Sequence, residues 1–247
     1  TSHGKFNFGT VSPGGVHAPS AFSDGKGGVI IMFNMNPAMP TNQWNQLMTL
    51  PRKLTLLEND RLAIEPAGDV EALRYKHQVV KAMNLPANKE IVINEIKGNA
   101  IEILAEIDVK KAQMLEMNVL RSTNKEEYTK ITFYKERGYG NGISYDTKPK
   151  DNTKASLISL DNTYSSILPN VASRAPETAP VYLLPNETLK LRIFIDKSVI
   201  EVFINGKQCV AARVYPGLED SLGISFRSQG RDSELKSLEA YQMKSIY

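Results

Sequence analysis

The stretch that decides the fold is Leu189-Lys-Leu-Arg-Ile-Phe-Ile-Asp196, followed directly by Lys197-Ser-Val-Ile-Glu-Val-Phe-Ile-Asn-Gly206. Apolar and other residues alternate through the first half, which is the period-two pattern of a strand with one buried face. The alternation resumes from Ile200 to Ile204. Asn205-Gly206 then supplies two residues that tolerate positive φ, as a type I′ turn requires, before residues 209–214 return as the next strand. We therefore predict a run of antiparallel strands in an all-β domain.

The residues that follow the first strand also carry a family likeness. Asp196-Lys-Ser-Val-Ile-Glu-Val-Phe203-x-Asn205-Gly206 resembles the signature of the C-terminal β-sandwich of glycoside hydrolase family 32, which includes β-fructofuranosidases, invertases, levanases and inulinases. Trp44-Asn-Gln-Leu-Met-Thr-Leu-Pro-Arg-Lys-Leu54 resembles a second family segment, with Lys53 where glutamate is usual. A third match combines Ser144-Tyr-Asp146 with Leu157–Ser165, with Asn162 in place of arginine. Three matches in the family's order make chance similarity improbable.

Composition excludes several other classes of protein. The chain has 247 residues, 23% of them charged, and a net charge of only +3, so a phosphate-binding track for nucleic acid is not expected. No apolar run approaches the roughly 20 residues that span a bilayer. Cys209 is the only cysteine and lies in a strand pattern, which predicts a small buried residue. His3 and His77 have no ligand-type neighbours at suitable spacing, so we expect neither a metal site nor a cofactor.

Strand patterns separated by turn signals continue along most of the chain. Such spacing is typical of a β-sandwich. N-terminal to residue 189 we predict strands at 16–23, 29–35, 48–57, 61–64, 91–96, 101–109, 114–121, 128–134, 142–145 and 156–160. C-terminal to residue 214 we predict strands at 221–227 and 235–243. The strand at 29–35 is apolar on both faces, which indicates cover on both sides.

Residues 66–82 break this series. Asp69 is a candidate helix cap, and Val70, Leu73, His77 and Val80 fall at helical spacing, so we predict a short helix that links two β regions. The resemblance implies an all-β protein in which residues 1–66 are the final blade of a five-bladed β-propeller. Residues 67–82 would then be a linker, and residues 83–247 the C-terminal β-sandwich.

The chemistry expected of the family is not found in this stretch of sequence. Retaining hydrolysis of a fructosyl bond needs two carboxyl groups about 5 Å apart, one as nucleophile and one as acid. The family carries the nucleophile in an Asn-Asp-Pro segment, the acid in a Glu-Cys segment and a stabilising aspartate in an Arg-Asp-Pro segment, and none of the three segments occurs here. Trp44 is followed by Asn45 and Gln46, and Cys209 is preceded by Gln208. We therefore assign no catalytic residue, and Asp196 and Glu201 are expected to be surface or hairpin-stabilising groups.

The resemblance does point to saccharide-binding positions. The family's aromatic residues near the fructosyl site align with His17 and Asn34, which can form hydrogen bonds with hydroxyl groups. Trp44 is a third candidate, as a stacking surface for a sugar ring. Two alternatives stay open, because His17 fits a hydrogen-bonded strand histidine and Trp44 fits a residue between two domains.

The function implied by the resemblance is that of the C-terminal part of an enzyme acting on β-fructosides such as sucrose, levan or inulin. An isolated blade exposes an apolar face, so we expect a partner, either the N-terminal propeller fragment or a second copy of the chain. The family likeness favours an extracellular or periplasmic location. The alternative from another class is a non-catalytic carbohydrate-binding or structural β-sandwich module.

Overall fold

The computed structural model of the chain describes residues 12–58, 61–137 and 154–246. Strands dominate these residues, and their helical content is one 3-10 turn, Val70–Leu73. The strands form three sheets of five, six and seven members. The all-β class predicted from the sequence is confirmed. The predicted strand at 142–145 lies outside the described residues.

The first sheet, here called the N-terminal sheet, is antiparallel in the order β1-β2-β4-β5, with β3 beside the end of β2. Its strands are β1 (Val16–Ser23), β2 (Val29–Met35), β3 (Leu47–Met48), β4 (Arg52–Leu56) and β5 (Leu62–Pro66). The turn between β1 and β2 is closed by Asp24, whose Oδ1 accepts hydrogen bonds from the amides of Lys26 (2.7 Å) and Gly28 (2.8 Å). Lys53, which stands where the family has glutamate, forms an ion pair with Asp24 at 3.1 Å.

The other two sheets form a sandwich. The seven-stranded inner sheet contains β6 (Arg74–Val80), β7 (Met83–Leu85), β9 (Ala100–Asp108), β14 (Leu189–Asp196), β15 (Val199–Ile204), β16 (Gln208–Arg213) and β18 (Ser233–Met243), in the order β16-β15-β14-β9-β18-β6 with β7 also on β18. The six-stranded outer sheet contains β8 (Glu90–Ile93), β10 (Met114–Arg121), β11 (Thr129–Tyr134), β12 (Lys154–Asp161), β13 (Glu177–Leu183) and β17 (Gly223–Gln229), in the order β13-β12-β11-β10-β17-β8. The predicted β-sandwich is thus confirmed.

The main apolar core lies between the inner and outer sheets. Ile193 and Val202 of the inner sheet belong to the same buried cluster as Phe133 and Phe226 of the outer sheet. Full burial of each such side chain contributes about 1.5–3 kcal/mol. The hairpin between β15 and β16 turns at Asn205 and Gly206 with φ of 51° and 61°, as the Asn-Gly pair predicts.

A second core joins the N-terminal sheet to the other surface of the inner sheet. Ile31 and Phe33 of β2 pack there with Phe194, Phe203 and Cys209 of the inner sheet. Burial raises the pKa of the Cys209 thiol to about 12, in keeping with its predicted role as a small buried residue. The fold is therefore three layers, with the inner sheet in the middle.

One expectation about local structure was wrong, one stays a prediction, and two strands were missed. The helix predicted in 66–82 is limited to Val70–Leu73, and residues 74–80 are instead β6, paired with β18. Within this chain strand β2 is covered on the face of Ile31, Phe33 and Met35, and the alternate residues are partly exposed, so the predicted cover of its second face stays a prediction. Strands β7 and β13 were not predicted. The position of the domain boundary between residues 66 and 83 stays a prediction.

Candidate functional site

His17 and Asn34 lie opposite each other on β1 and β2. Their neighbours Val16 and Met35 are buried in the second core, so His17 and Asn34 occupy the alternate face, which points away from the sandwich. The ring Nδ1 of His17 lies 3.3 Å from the backbone oxygen of Asn34. The register shifts just after His17, where Ala18 has a φ of 45°. Two of the three predicted saccharide-binding residues are therefore brought together.

The face that carries His17 and Asn34 has little cover within this chain. Phe22, which lies opposite Ile30, is 64% exposed. Met48, which lies opposite Asn34, is also exposed. Exposed apolar side chains on one face of a sheet are a feature of surfaces that bind a partner.

Trp44 lies in the loop between β2 and β3, where it packs on Arg213 of the sandwich and stays 44% exposed. The guanidinium of Arg213 is 5.1 Å from its ring centre and 5.0 Å from that of Tyr215. Arg213 is fully buried, and its Nε and Nη2 donate to the backbone oxygen and Oγ of Ser198. Burial lowers the pKa of Arg213. The structure thus does not place Trp44 in one group with His17 and Asn34.

The loop that carries Trp44 is tied to the sandwich by backbone hydrogen bonds. The amide of Ala38 donates to Tyr215 Oη at 3.1 Å, and the oxygen of Ala38 accepts from the amide of Ala172 at 2.7 Å. The amide of Arg213 donates to the oxygen of Gly14 at 3.0 Å. The N-terminal sheet and the sandwich are therefore joined through polar contacts as well as through the second core.

Glu201 lies in a different environment from the one expected. It was expected at the surface or in support of the hairpin, but it is buried between the N-terminal and inner sheets. Its Oε2 accepts from Arg52 Nη2 (2.7 Å) and Nε (3.2 Å), and its Oε1 accepts from the amide of Leu50 (2.5 Å). The Arg52 guanidinium also lies 5.1 Å from the ring centre of Phe33. A usable signal was present, since β15 has apolar residues on both faces.

The buried carboxylates have structural rather than catalytic surroundings. Glu102 is held by Arg74 and Arg192, and Glu177 is paired with Arg174. Glu127 accepts hydrogen bonds from the amides of Ile167, Gly217 and Leu218 and from Ser221 Oγ. Burial acts to raise the pKa of Glu127, but these four donors outweigh it and lower the pKa. Carboxylates held in this way are poorly suited to transfer a proton to substrate.

Two further features of the described residues bear on function. No group of three or more His, Cys, Asp or Glu side chains is arranged there to hold a metal ion. None of the helical segments in 12–58, 61–137 and 154–246 is long and apolar enough to cross a membrane.

The sandwich matches a known protein family. Residues 69–242 match the family model described as glycosyl hydrolases family 32 C terminal. The chain belongs to this family. The match runs from the 3-10 turn into β18, the last strand of the sandwich, and includes the hairpin of β15 and β16.

Individual family 32 relatives cover more of the chain. It is 27% identical over 214 residues to a levanase of Bacillus subtilis, which corresponds to 85% of this chain and 29% of the levanase. It is 24% identical over 226 residues to a sucrose-6-phosphate hydrolase of Staphylococcus xylosus, or 89% of this chain and 40% of that protein. The chain therefore spans less than half the length of these curated relatives.

A solved family 32 structure supports the fold. Fructan 1-exohydrolase IIa from Cichorium intybus superposes with a TM-score of 0.79 and 18% identity, over 98% of this chain and 49% of that one. At this level of identity the likeness concerns the fold alone.

Proposed function

We propose that this chain is the C-terminal part of a hydrolase of β-fructosides, such as sucrose, levan or inulin. The observation that carries the proposal is the match of residues 69–242 to the C-terminal region of family 32. The names of the relatives, levanase and sucrose-6-phosphate hydrolase among them, support the substrate class. The whole protein would cleave the fructosyl bond by the two-carboxylate retaining route.

The catalytic carboxylates would lie in a part of the enzyme outside these residues. The sequence lacks the segments that carry them in the family. The buried carboxylates Glu102, Glu127, Glu177 and Glu201 support this, because each is held by arginine or by backbone and hydroxyl donors. The chain would contribute structure and substrate contacts rather than the reacting groups.

The N-terminal sheet would be the last blade of a five-bladed propeller. Its uncovered face, with Phe22, Met48 and the half-buried Ile30 and Met32, would dock on the preceding blade. We favour the N-terminal propeller part of the enzyme as the partner, because the chain aligns with less than half of each relative. A second copy of the chain is the other occupant to be tested.

His17, at the start of β1, and Asn34, at the end of β2, would contact the saccharide at the end of this face, beside the area that docks on the preceding blade. Both side chains can exchange hydrogen bonds with sugar hydroxyls, and their positions on adjacent strands fix their spacing. Trp44 would act through a different surface, since it packs on Arg213 of the sandwich.

The test is a kinetic comparison of full-length enzyme variants. We expect His17→Ala and Asn34→Ala each to raise KM for sucrose or a fructan by about tenfold, the equivalent of one hydrogen bond of about 1.4 kcal/mol. Lys26→Ala, in the exposed turn of the same sheet, is the control and should leave KM unchanged. Unchanged KM in both site variants would remove these residues from the site. Absence of fructose release from every β-fructoside would refute the proposed activity itself.

A further inference from the structure

The outer surface of the outer sheet carries a continuous polar row. Ser225, Asn118, Lys130 and Asp161 lie side by side on β17, β10, β11 and β12. The residues that alternate with Asn118 on β10, Met117 and Val119, belong to the sandwich core, so the polar row faces outward. This row is on the far side of the sandwich from the N-terminal sheet.

Asn118 is the unusual member of this row. It is fully buried, and its Nδ2 donates to Glu116 Oε1 (2.8 Å) and Ser225 Oγ (3.1 Å). Its Oδ1 has no hydrogen-bond partner. A buried carbonyl without a donor is uncommon in folded proteins and calls for an explanation, such as a ligand that supplies the donor.

Two stacked tyrosines lie beside the row. The rings of Tyr128 and Tyr164 have centroids 5.6 Å apart and an interplanar angle of 21°. Tyr164 is 56% exposed, so one aromatic face is open to solvent. The pair is held in place because Glu127, next to Tyr128, accepts from the amide of Ile167 in the loop that carries Tyr164. The amide of Tyr128 also donates to the oxygen of Tyr164 at 2.8 Å.

Lys125 extends across this surface. Its Nζ lies 5.0 Å from the ring centre of Tyr128 and 3.1 Å from Glu90 Oε1. The side chain of Lys125 therefore extends from the two tyrosines to Glu90 on β8, the strand next to β17. A lysine side chain has several rotatable bonds, so its displacement by a ligand requires no change in the sheet.

The charges of the surface are already paired within the protein. Glu90 lies 3.0 Å from Arg121 Nε and 3.1 Å from Lys125 Nζ, and Asp161 lies 3.2 Å from Lys130 Nζ. An anionic or cationic ligand would have to compete with all of these pairs, whereas an uncharged ligand that displaces Lys125 breaks only the Lys125–Glu90 pair, and Arg121 still holds Glu90. A ligand with hydroxyl groups and apolar ring faces instead suits a surface that combines an exposed aromatic ring with amide and carboxylate groups.

We propose that the surface formed by Tyr128, Tyr164, Asn118, Lys130 and Asp161 is a second saccharide-binding site for an uncharged chain of sugars. The fructan class of the ligand rests on the proposed function, whereas the site itself does not. A second contact on a polymer raises its apparent affinity without altering that of a short substrate. The surface would therefore serve long fructans and leave sucrose unaffected.

The direct test is a titration of the 247-residue chain with fructan oligosaccharides, followed by NMR. We expect the side-chain amide of Asn118 to shift in the wild type, and Tyr164→Ala to weaken binding at least tenfold. Tyr75→Ala, which removes a 47% exposed tyrosine from β6, is the matched control and should bind as the wild type does. No binding by the wild type, or equal weakening by both variants, would overturn the site.

A kinetic test separates this site from the proposed function. In the full-length enzyme, Tyr164→Ala should raise KM for levan or inulin severalfold and leave KM for sucrose and all kcat values unchanged. Hydrolysis of fructans with an unchanged KM in the variant would overturn the second site while the proposed function stands. If the surface instead binds another copy of the chain, the wild type should form concentration-dependent dimers and Tyr164→Ala should abolish them. That result would also overturn the proposed saccharide site.

Discussion

Glu201 links the two parts of the molecule at the level of single residues. It is buried with Arg52 between Phe33 and Phe203, and it also accepts the amide of Leu50. Removal of one member of a buried ion pair leaves an uncompensated charge in an apolar environment. The stability of the junction therefore depends on both partners being present.

We predict that Glu201→Gln lowers the free energy of unfolding by about 3–5 kcal/mol. The measurement is urea denaturation of the chain followed by circular dichroism. Asp196→Asn, on the exposed end of the preceding strand, is the matched control and should change stability by less than about 0.5 kcal/mol. Equal effects of the two substitutions would contradict the structural role given to Glu201.

Glu90 provides a prediction about pH. Burial acts to raise its pKa, but hydrogen bonds from Ser225, Arg121 and Lys125 outweigh this and lower the pKa from 4.5 to about 2. The folded-state pKa is below the unfolded one, so the stabilisation is complete above pH 4.5 and is lost as the pH falls towards 2. We expect Glu90→Gln to flatten this part of the stability profile, measured by urea denaturation between pH 2 and 6. Parallel profiles for wild type and variant would refute the assignment.

The burial of Glu201 shows where sequence reasoning fails for a single residue. Alternation identified the apolar face of β14 and β15 correctly, and Ile200 and Val202 are in the sandwich core. It did not reveal that the opposite face, with Glu201 and Phe203, would be covered by another sheet. The local pattern tells which face of a strand is apolar. Whether the other face is buried depends on residues far away in sequence, here Arg52, which lies more than a hundred residues before Glu201.

At the level of elements, strands β14, β15 and β16 were predicted closely, whereas strands β6 and β13 were not. Strand β6 was mistaken for a helix because its alternation is interrupted at Lys76, which has a φ of 48° beside a register shift. Strand β13 was missed because Pro180 suggests a break. Proline is tolerated there because β13 is an edge strand of the outer sheet.

The turn at Asn205 and Gly206 gives a prediction for an element. We expect Gly206→Ala to destabilise the chain by about 1–2 kcal/mol, because an alanine at φ of 61° is strained. Gly206→Asn is the control and should cost less, since asparagine tolerates the left-handed region. Thermal unfolding in parallel checks both variants. A cost for asparagine as large as that for alanine would show that contact with Glu65, rather than backbone strain, decides the effect.

At the level of the whole molecule, the sequence predicted an all-β chain with a C-terminal sandwich, and both are present. The packing of the N-terminal sheet on the sandwich was not foreseen, because it depends on the shapes of two surfaces that no local pattern describes. The uncovered face with His17 and Asn34 remains the surface through which we propose that the chain meets the rest of the enzyme. His17 and Asn34 were proposed from the family likeness. The sequence around Trp44 did not reveal that its ring packs on Arg213.

Whether the reacting carboxylates lie outside this chain is tested by fructose release from sucrose, levan and inulin, measured for the 247-residue chain alone and together with the N-terminal part of the proposed enzyme. We predict no release by the chain alone and restored release when the N-terminal part is supplied, because the nucleophile and the acid would lie there. Fructose release by the purified chain alone would contradict the account.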